Sequence, residues 1–432
     1  MKIKKILIIC LLMSAGYSLV YCEYKGVNCM KLSNGVTVVI KKDDSVPVAS
    51  VNVWVKTGSI NEKPFQAGLS HFIEHLMFKG SRNYQGDMMT RNVEKMGGII
   101  NAATSKEYTC YYIDIQKDGC IEALKMLADT VSNPMFPPEE IEQERKVVVE
   151  EIQRHKDSPQ SMLFEYFMET LYKNSDYKNS IIGSSDVIKN ISRDEIIKYY
   201  KTHYIPQNIF VTVVGDFDKE QVLETIEDTF GKFEKATAPA EPVIIETSDK
   251  VTDFTAKDKT VHTYLLAGFK GPDMASDDIY VADVALSILG SGKSSRLYRV
   301  LKEEKNIVFS INSSFMTLRG TGTAFISAVF EPSKYKETVE AVETELDKFT
   351  KEGPTEAELK KIKTNIKSSW IFGLQTFSDQ AGQLGYWYSQ GHPEKFENYL
   401  KSVDKITVED VKKFMNKYYS KEKMSKVSIC PK

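Results

Sequence analysis

His71-Phe72-Ile73-Glu74-His75 puts two imidazoles and a carboxylate within five residues of a chain that has only six histidines in all. On a helix, residues four apart lie on one face a turn apart, so both imidazoles can reach a single metal ion. Glu74 follows His71 by three positions, shares that face, and can address water at the metal. The order H-x-x-E-H reverses the commoner zinc-peptidase pattern. The chemistry these residues could do is metal-assisted hydrolysis, and it needs a third ligand.

A helix expected after Pro138 offers one. Its run Glu144-Arg145-Lys146-Val147-Val148-Val149-Glu150-Glu151 sets Glu144 and Glu151 two turns apart on one face. A carboxylate from this run would complete a two-histidine, one-carboxylate zinc site with an open position. Residue physics leaves Glu144, Glu150 and Glu151 all available.

The elements that must hold these groups repeat. Ile191-Ser192-Arg193-Asp194-Glu195 and Ile406-Thr407-Val408-Glu409-Asp410 both read as capped helix starts, with acids in the first turn. Phe136-Pro137-Pro138-Glu139 and Gly353-Pro354-Thr355-Glu356 both open long charged helices. Each is preceded by an alternating strand (Cys110 to Ile115; Thr323 to Phe330) and an amphipathic helix starting near Cys120 or Tyr335. Further strands follow the Asn34-Gly35 turn, span Ala49 to Val55, and run from Phe210 to Val214, stopping at Gly215-Asp216. The expected fold is α+β: two homologous domains, each a mostly antiparallel sheet backed by helices, together forming half of a clamshell chamber. The expected boundaries are a catalytic domain at 23–235, a proline-containing linker at 236–248, and a second domain at 249–432 that lacks the metal motif.

Composition narrows the function. The 432 residues carry 57 Lys plus Arg against 59 Asp plus Glu, a net charge of −2, which argues against a nucleic-acid partner. Lys2, Lys4 and Lys5 precede the apolar run from Ile6 to Val20, the pattern of a secretory signal peptide over 1–22. Export to a bacterial periplasm is expected, with an N-terminal anchor as the alternative and the only expected membrane link. Cys10 and Cys22 fall in that leader. Cys29, Cys110, Cys120 and Cys430 are scattered and form no C-x-x-C, so a cysteine zinc site is not expected.

Gly68-Leu69-Ser70-His71-Phe72-Ile73-Glu74-His75-Leu76-Met77-Phe78-Lys79-Gly80 resembles the signature of the pitrilysin, or insulinase, family of inverted zinc peptidases. Within it, the chain looks close to bacterial subunits similar to the mitochondrial processing peptidase. Gly97-Gly98-Ile99-Ile100-Asn101-Ala102 with Thr104 resembles that family's substrate-binding edge strand. Val213-Val214-Gly215-Asp216 and Ser294-Ser295-Arg296-Leu297 resemble later family segments. The resemblance implies one zinc ion per chain on His71, His75 and Glu151, rather than Glu150, with Glu74 as general base and Glu144 supporting a ligand. It implies peptide substrates added as a strand along Gly98, Asn101, Ala102 and Ala103.

One departure qualifies this. Active single-chain members carry an arginine, then a tyrosine seven residues later, in the second domain; here those positions are Lys302 and Phe309. A phenyl ring cannot donate a hydrogen bond, and lysine is no bidentate fork. By analogy with two-chain relatives, a heterodimer is expected in which a paralogous subunit supplies both groups, with a homodimer as the alternative. A non-catalytic peptide-binding or scaffold subunit of the same fold is the competing function.

Overall fold

The protein is described from a computed structural model that covers residues 26–237, 239 and 252–432. The expected leader at 1–22 and most of the expected linker lie outside the described residues. The chain forms two compact units.

The first unit is built on a six-stranded sheet. Its strands are β1 (Val27–Lys31), β2 (Thr37–Lys42), β3 (Val48–Val55), β4 (Ile99–Thr104), β5 (Thr109–Gln116) and β6 (Ile209–Gly215). They run in the order β1-β2-β6-β3-β5-β4, and only β2 and β6 pair parallel. The central strand β6 is buried at every position, and β3 at all but Val48. Accordingly β6 is apolar at all positions but Thr212, as strands covered on two faces are, while β3 also buries the polar Ser50 and Asn52. At the far edge, β4 pairs with β5 alone among the described residues.

The second unit repeats the plan on five strands: β7 (Phe254–Asp258), β8 (Thr263–Gly271), β9 (Ser310–Leu318), β10 (Thr321–Phe330) and β11 (Ser425–Pro431). Their order β7-β11-β8-β10-β9, with one parallel pair β7/β11, matches β2-β6-β3-β5-β4 position for position. The repeated helix starts are capped as the sequence suggests. Ser192 pairs reciprocally with Glu195, and Thr407 with Asp410.

The units are not contiguous in sequence. The first also takes in Gly373–Phe396, and the second takes in Gln153–Asn179. Helix Phe377–Ser389 packs on β3 and β6. Gly385 is where the Trp54 indole meets it: a Cβ there would lie 2.1 Å from Trp54 Nε1. Chain position records the duplicated sheets; packing of one apolar helix on each sheet decides the units.

Candidate active site

Helix Leu69–Met77 carries the histidines. Leu69, Phe72, Ile73 and Leu76 recur at helical spacing and are fully buried, which fixes the roll of the helix. His71 and His75 lie on the adjoining face. The helix starts at Gly68, whose φ of +93° suits glycine, and a Cβ there would meet Ile182 O at 2.7 Å. Glu62 caps it, accepting the N–H groups of Gly68 and Ser70 at 2.7 Å each. Burial pushes the Glu62 carboxyl up to about 7, against the pull of those two N–H groups.

Helix Pro138–Lys156 supplies the carboxylates. Ile141, Glu144, Val148 and Ile152 form its buried stripe. Arg145 anchors it, donating to the carbonyls of Ile188 and Ile191 and lying over the Phe72 ring. That leaves Glu151 at the edge of the stripe, facing the histidines, while Glu150 is exposed.

His71, His75 and Glu151 converge, with one ligand atom from each lying within 4.8 Å of the others. Glu151 Oε2 is 3.5 Å from His75 Nε2 and 3.9 Å from His71 Nε2. Zinc with N and O donors at about 2.1 Å in a tetrahedron sets its ligand atoms roughly 3.4 Å apart, so this donor set fits the ion. Burial and the neighbouring His75 pull His71 down to about 4, which keeps the imidazole neutral, as a ligand must be. Glu144 Oε2 lies 3.1 Å from His75 Nδ1, and Glu144 Oε1 lies 2.6 Å from Lys79 Nζ.

Glu74 sits beside the cluster. Burial raises its carboxyl above the usual range, opposed by a hydrogen bond from Thr104 and reinforced by the Glu151 charge. Thr104 ends β4, where side chains alternate: Ile100, Ala102 and Thr104 are partly covered, and Ile99, Asn101 and Ala103 are exposed. Ile100 and Ala102 pack on the first unit's core, and the Thr104 hydroxyl donates to Glu74.

These features match known proteins across most of the chain. Residues 37–185 match the family model described as insulinase, peptidase family M16, and residues 190–366 match the peptidase M16 inactive domain. The chain belongs to the M16 peptidase family. It is 28% identical to a Bacillus subtilis protein described as an uncharacterized zinc protease, over 82% of this chain and 85% of that one. A Rickettsia felis protein of the same description is 27% identical over 91% of this chain and 95% of its own. The crystal structure of a Helicobacter pylori protease superposes with a TM-score of 0.88 at 28% identity, covering 94% and 99% of the two chains.

The M16 sheets place the remaining expected residues. Gly98 serves a turn: its N–H donates to Val93 O, and a Cβ would lie 2.9 Å from the Val93 side chain. Asn101 Oδ1 accepts the Ala102 N–H, so that donor is already satisfied. In the second unit, Lys302 lies on a π-helical turn, Tyr298–Glu304. Phe309 is half exposed, with its ring 4.5 Å from that of His262. Arg296 is buried and structural, forked onto Glu358 at 2.7 and 2.8 Å. Among the described residues, the cluster of His71, His75 and Glu151 is the single group with metal-ligand spacing. The described cysteines form no disulfide, and no described helix is long and apolar enough to cross a membrane.

Sequence reasoning passed over three residues of the site. Lys79 and Thr104 were present in the resembling motifs, but partners distant in sequence give them their roles. Glu62, also missed, carries no local signal beyond lying shortly before the helix.

Proposed function

We propose that this chain is a zinc-dependent endopeptidase subunit that hydrolyses unfolded peptides. The observation that carries the reading is the convergence of His71, His75 and Glu151 beside a partly buried Glu74 that is tied through Thr104 to an edge strand. His71, His75 and Glu151 would hold the metal. A zinc ion there supplies Lewis acidity, acidifying water and polarising a carbonyl. Glu74, its carboxyl raised by burial, takes the proton from the attacking water and returns it to the leaving amine. The unpaired edge of β4 can accept an extended peptide as a further strand, giving tolerance of sequence through main-chain bonds.

Lys302 and Phe309 favour a divided site, in which a paralogous subunit supplies the arginine and tyrosine; a homodimer is the alternative assembly. The same two residues also support the competing reading of a non-catalytic peptide-binding subunit. The leader motif at Lys2 to Val20 supports export to a bacterial periplasm.

The test compares wild type with Glu74→Gln on unstructured peptides, with metal content measured in both. Cleavage that vanishes while stoichiometric zinc remains supports the reading. A wild type that purifies without zinc and ignores chelators, alone and with its paralogue, would point to the scaffold function.

A further inference from the structure

We infer that Lys79 is a positioning residue of the metal centre: acting through Glu144, it fixes the orientation and tautomer of His75 and so sets how tightly zinc is held. The inference rests on the zinc reading above and adds a residue to it.

Glu144 divides its two oxygens. Oε1 receives the Lys79 ammonium at 2.6 Å, and Oε2 meets His75 Nδ1 at 3.1 Å. Lysine has donors only, so it holds Oε1 and leaves Oε2 to accept from the imidazole. With Nδ1–H donating, the Nε2 lone pair is the one presented to Glu151, 3.5 Å away. The Glu144 side chain is only 8% exposed, so its carboxylate is shielded from water that would loosen it, while Lys79, 33% exposed, reaches it from the solvent side.

The backbone holds Lys79 at this task. It lies just past the histidine helix, its N–H donating to Leu76 O at 3.1 Å. The next residue, Gly80, turns the chain away at a φ of +133°.

The two histidines differ in support. His71 Nδ1 is buried and has no hydrogen-bond partner among the described residues, whereas His75 Nδ1 has Glu144. The side-chain hydrogen bonding that orients His75 therefore runs through Glu144 and ends at Lys79. Such outer partners fix ligand geometry and raise ligand basicity. A lysine that merely neutralised the helix C-terminus would affect helix stability and leave the His75 tautomer alone.

The experiment uses the full-length chain. Zinc is titrated against a competing chromophoric chelator for wild type, Lys79→Met, Lys79→Arg and Glu144→Gln, with the thermal midpoint of each recorded. Lys79→Met should weaken zinc about tenfold and Glu144→Gln at least as much, while Lys79→Arg stays within about threefold of wild type. In parallel, nitrogen-15 NMR of the metal-free wild type should show His75 as the Nδ1–H tautomer. That measurement tests the Glu144–His75 link without a variant, and if Lys79→Met fails to fold, Lys79→Gln takes its place in the titration. Zinc affinity of Lys79→Met within about twofold of wild type, below the usual effect of such partners, would overturn the inference. So would an Nε2–H tautomer at His75. A wild type that binds no zinc would overturn the peptidase reading instead, and a His75 tautomer unchanged in Lys79→Met would then overturn the role of Lys79.

Discussion

Thr104 Oγ1 donates to Glu74 Oε2, joining the last residue of an edge strand to the carboxylate beside the metal cluster. The partners lie thirty residues apart in sequence, on β4 and on the histidine helix. Whatever positions β4 therefore also positions the carboxylate. Thr104→Val keeps the shape and removes the donor. It should lower kcat roughly tenfold, about 1.4 kcal/mol in the barrier, with KM little changed. Thr104→Ser should restore most of the rate. A matching loss in KM would assign Thr104 to substrate binding instead.

Glu150 and Glu151 are adjacent, yet one is exposed and the other faces two imidazoles. Glu151→Gln should abolish stoichiometric zinc binding, measured by metal analysis after dialysis, because an amide is a poor replacement for a charged oxygen ligand. Glu150→Gln should keep full zinc. Equal zinc loss in both variants would mean that helix charge, rather than one ligand, governs binding.

How far the sequence is legible follows from the range of the forces involved. Helical period placed His71, Glu74 and His75 on one turn, because i, i+3 and i+4 neighbours are a local matter. The same local logic located the Ser192 and Thr407 caps and the strands, whose bounds differ from expectation by a residue or two. Period could not separate Glu150 from Glu151, since the choice depends on how Arg145 anchors the helix to the segment at Ile188 and Ile191. Thr104, Lys79 and Glu62 gain their roles only when distant elements pack. Helix Phe377–Ser389 shows the same limit at the scale of a unit: its apolar face is local, and the sheet that it covers is not.

Glu358 anchors the second unit through acid. Burial alone would raise its carboxyl, but the Arg296 fork and the Thr355 donors outweigh this and hold it at about 2, below its ordinary 4.5. A depressed carboxylate stabilises the fold above its unfolded pKa and loses that contribution as pH falls toward the folded one. The denaturation midpoint of wild type should therefore exceed that of Glu358→Gln at pH 7. The gap should begin to close below about pH 4.5 and be nearly gone near pH 2. A gap independent of pH would show that the charge contributes nothing.

Gly385 is determined by Trp54. An added methyl would sit 2.1 Å from the indole nitrogen, and the far end of a buried ring on β3 has nowhere to retreat. Gly385→Ala should destabilise the protein by about 1–3 kcal/mol, the usual cost of overpacking, despite alanine's better helix propensity. Pairing it with Trp54→Phe should recover part of the loss, read as a non-additive double-mutant cycle in chemical denaturation.

Lys302 and Phe309 make the divided-site reading testable by gain rather than loss. Phe309 is half exposed, so a tyrosine hydroxyl can be added there without opening the core. Lys302 lies on the π-helical turn with its cation already present, so arginine changes the fork and not the charge. If these positions limit the isolated chain, Lys302→Arg with Phe309→Tyr should raise its kcat/KM on an unstructured peptide at least tenfold, with each single change giving less, as cooperating donors do. Zinc content should stay constant, since neither residue belongs to the metal cluster. The same double variant should benefit less from an added paralogue than wild type does. An isolated wild-type chain that already cleaves at full rate, and does not respond to either substitution, would rule out the divided site and leave Lys302 and Phe309 as tolerated replacements.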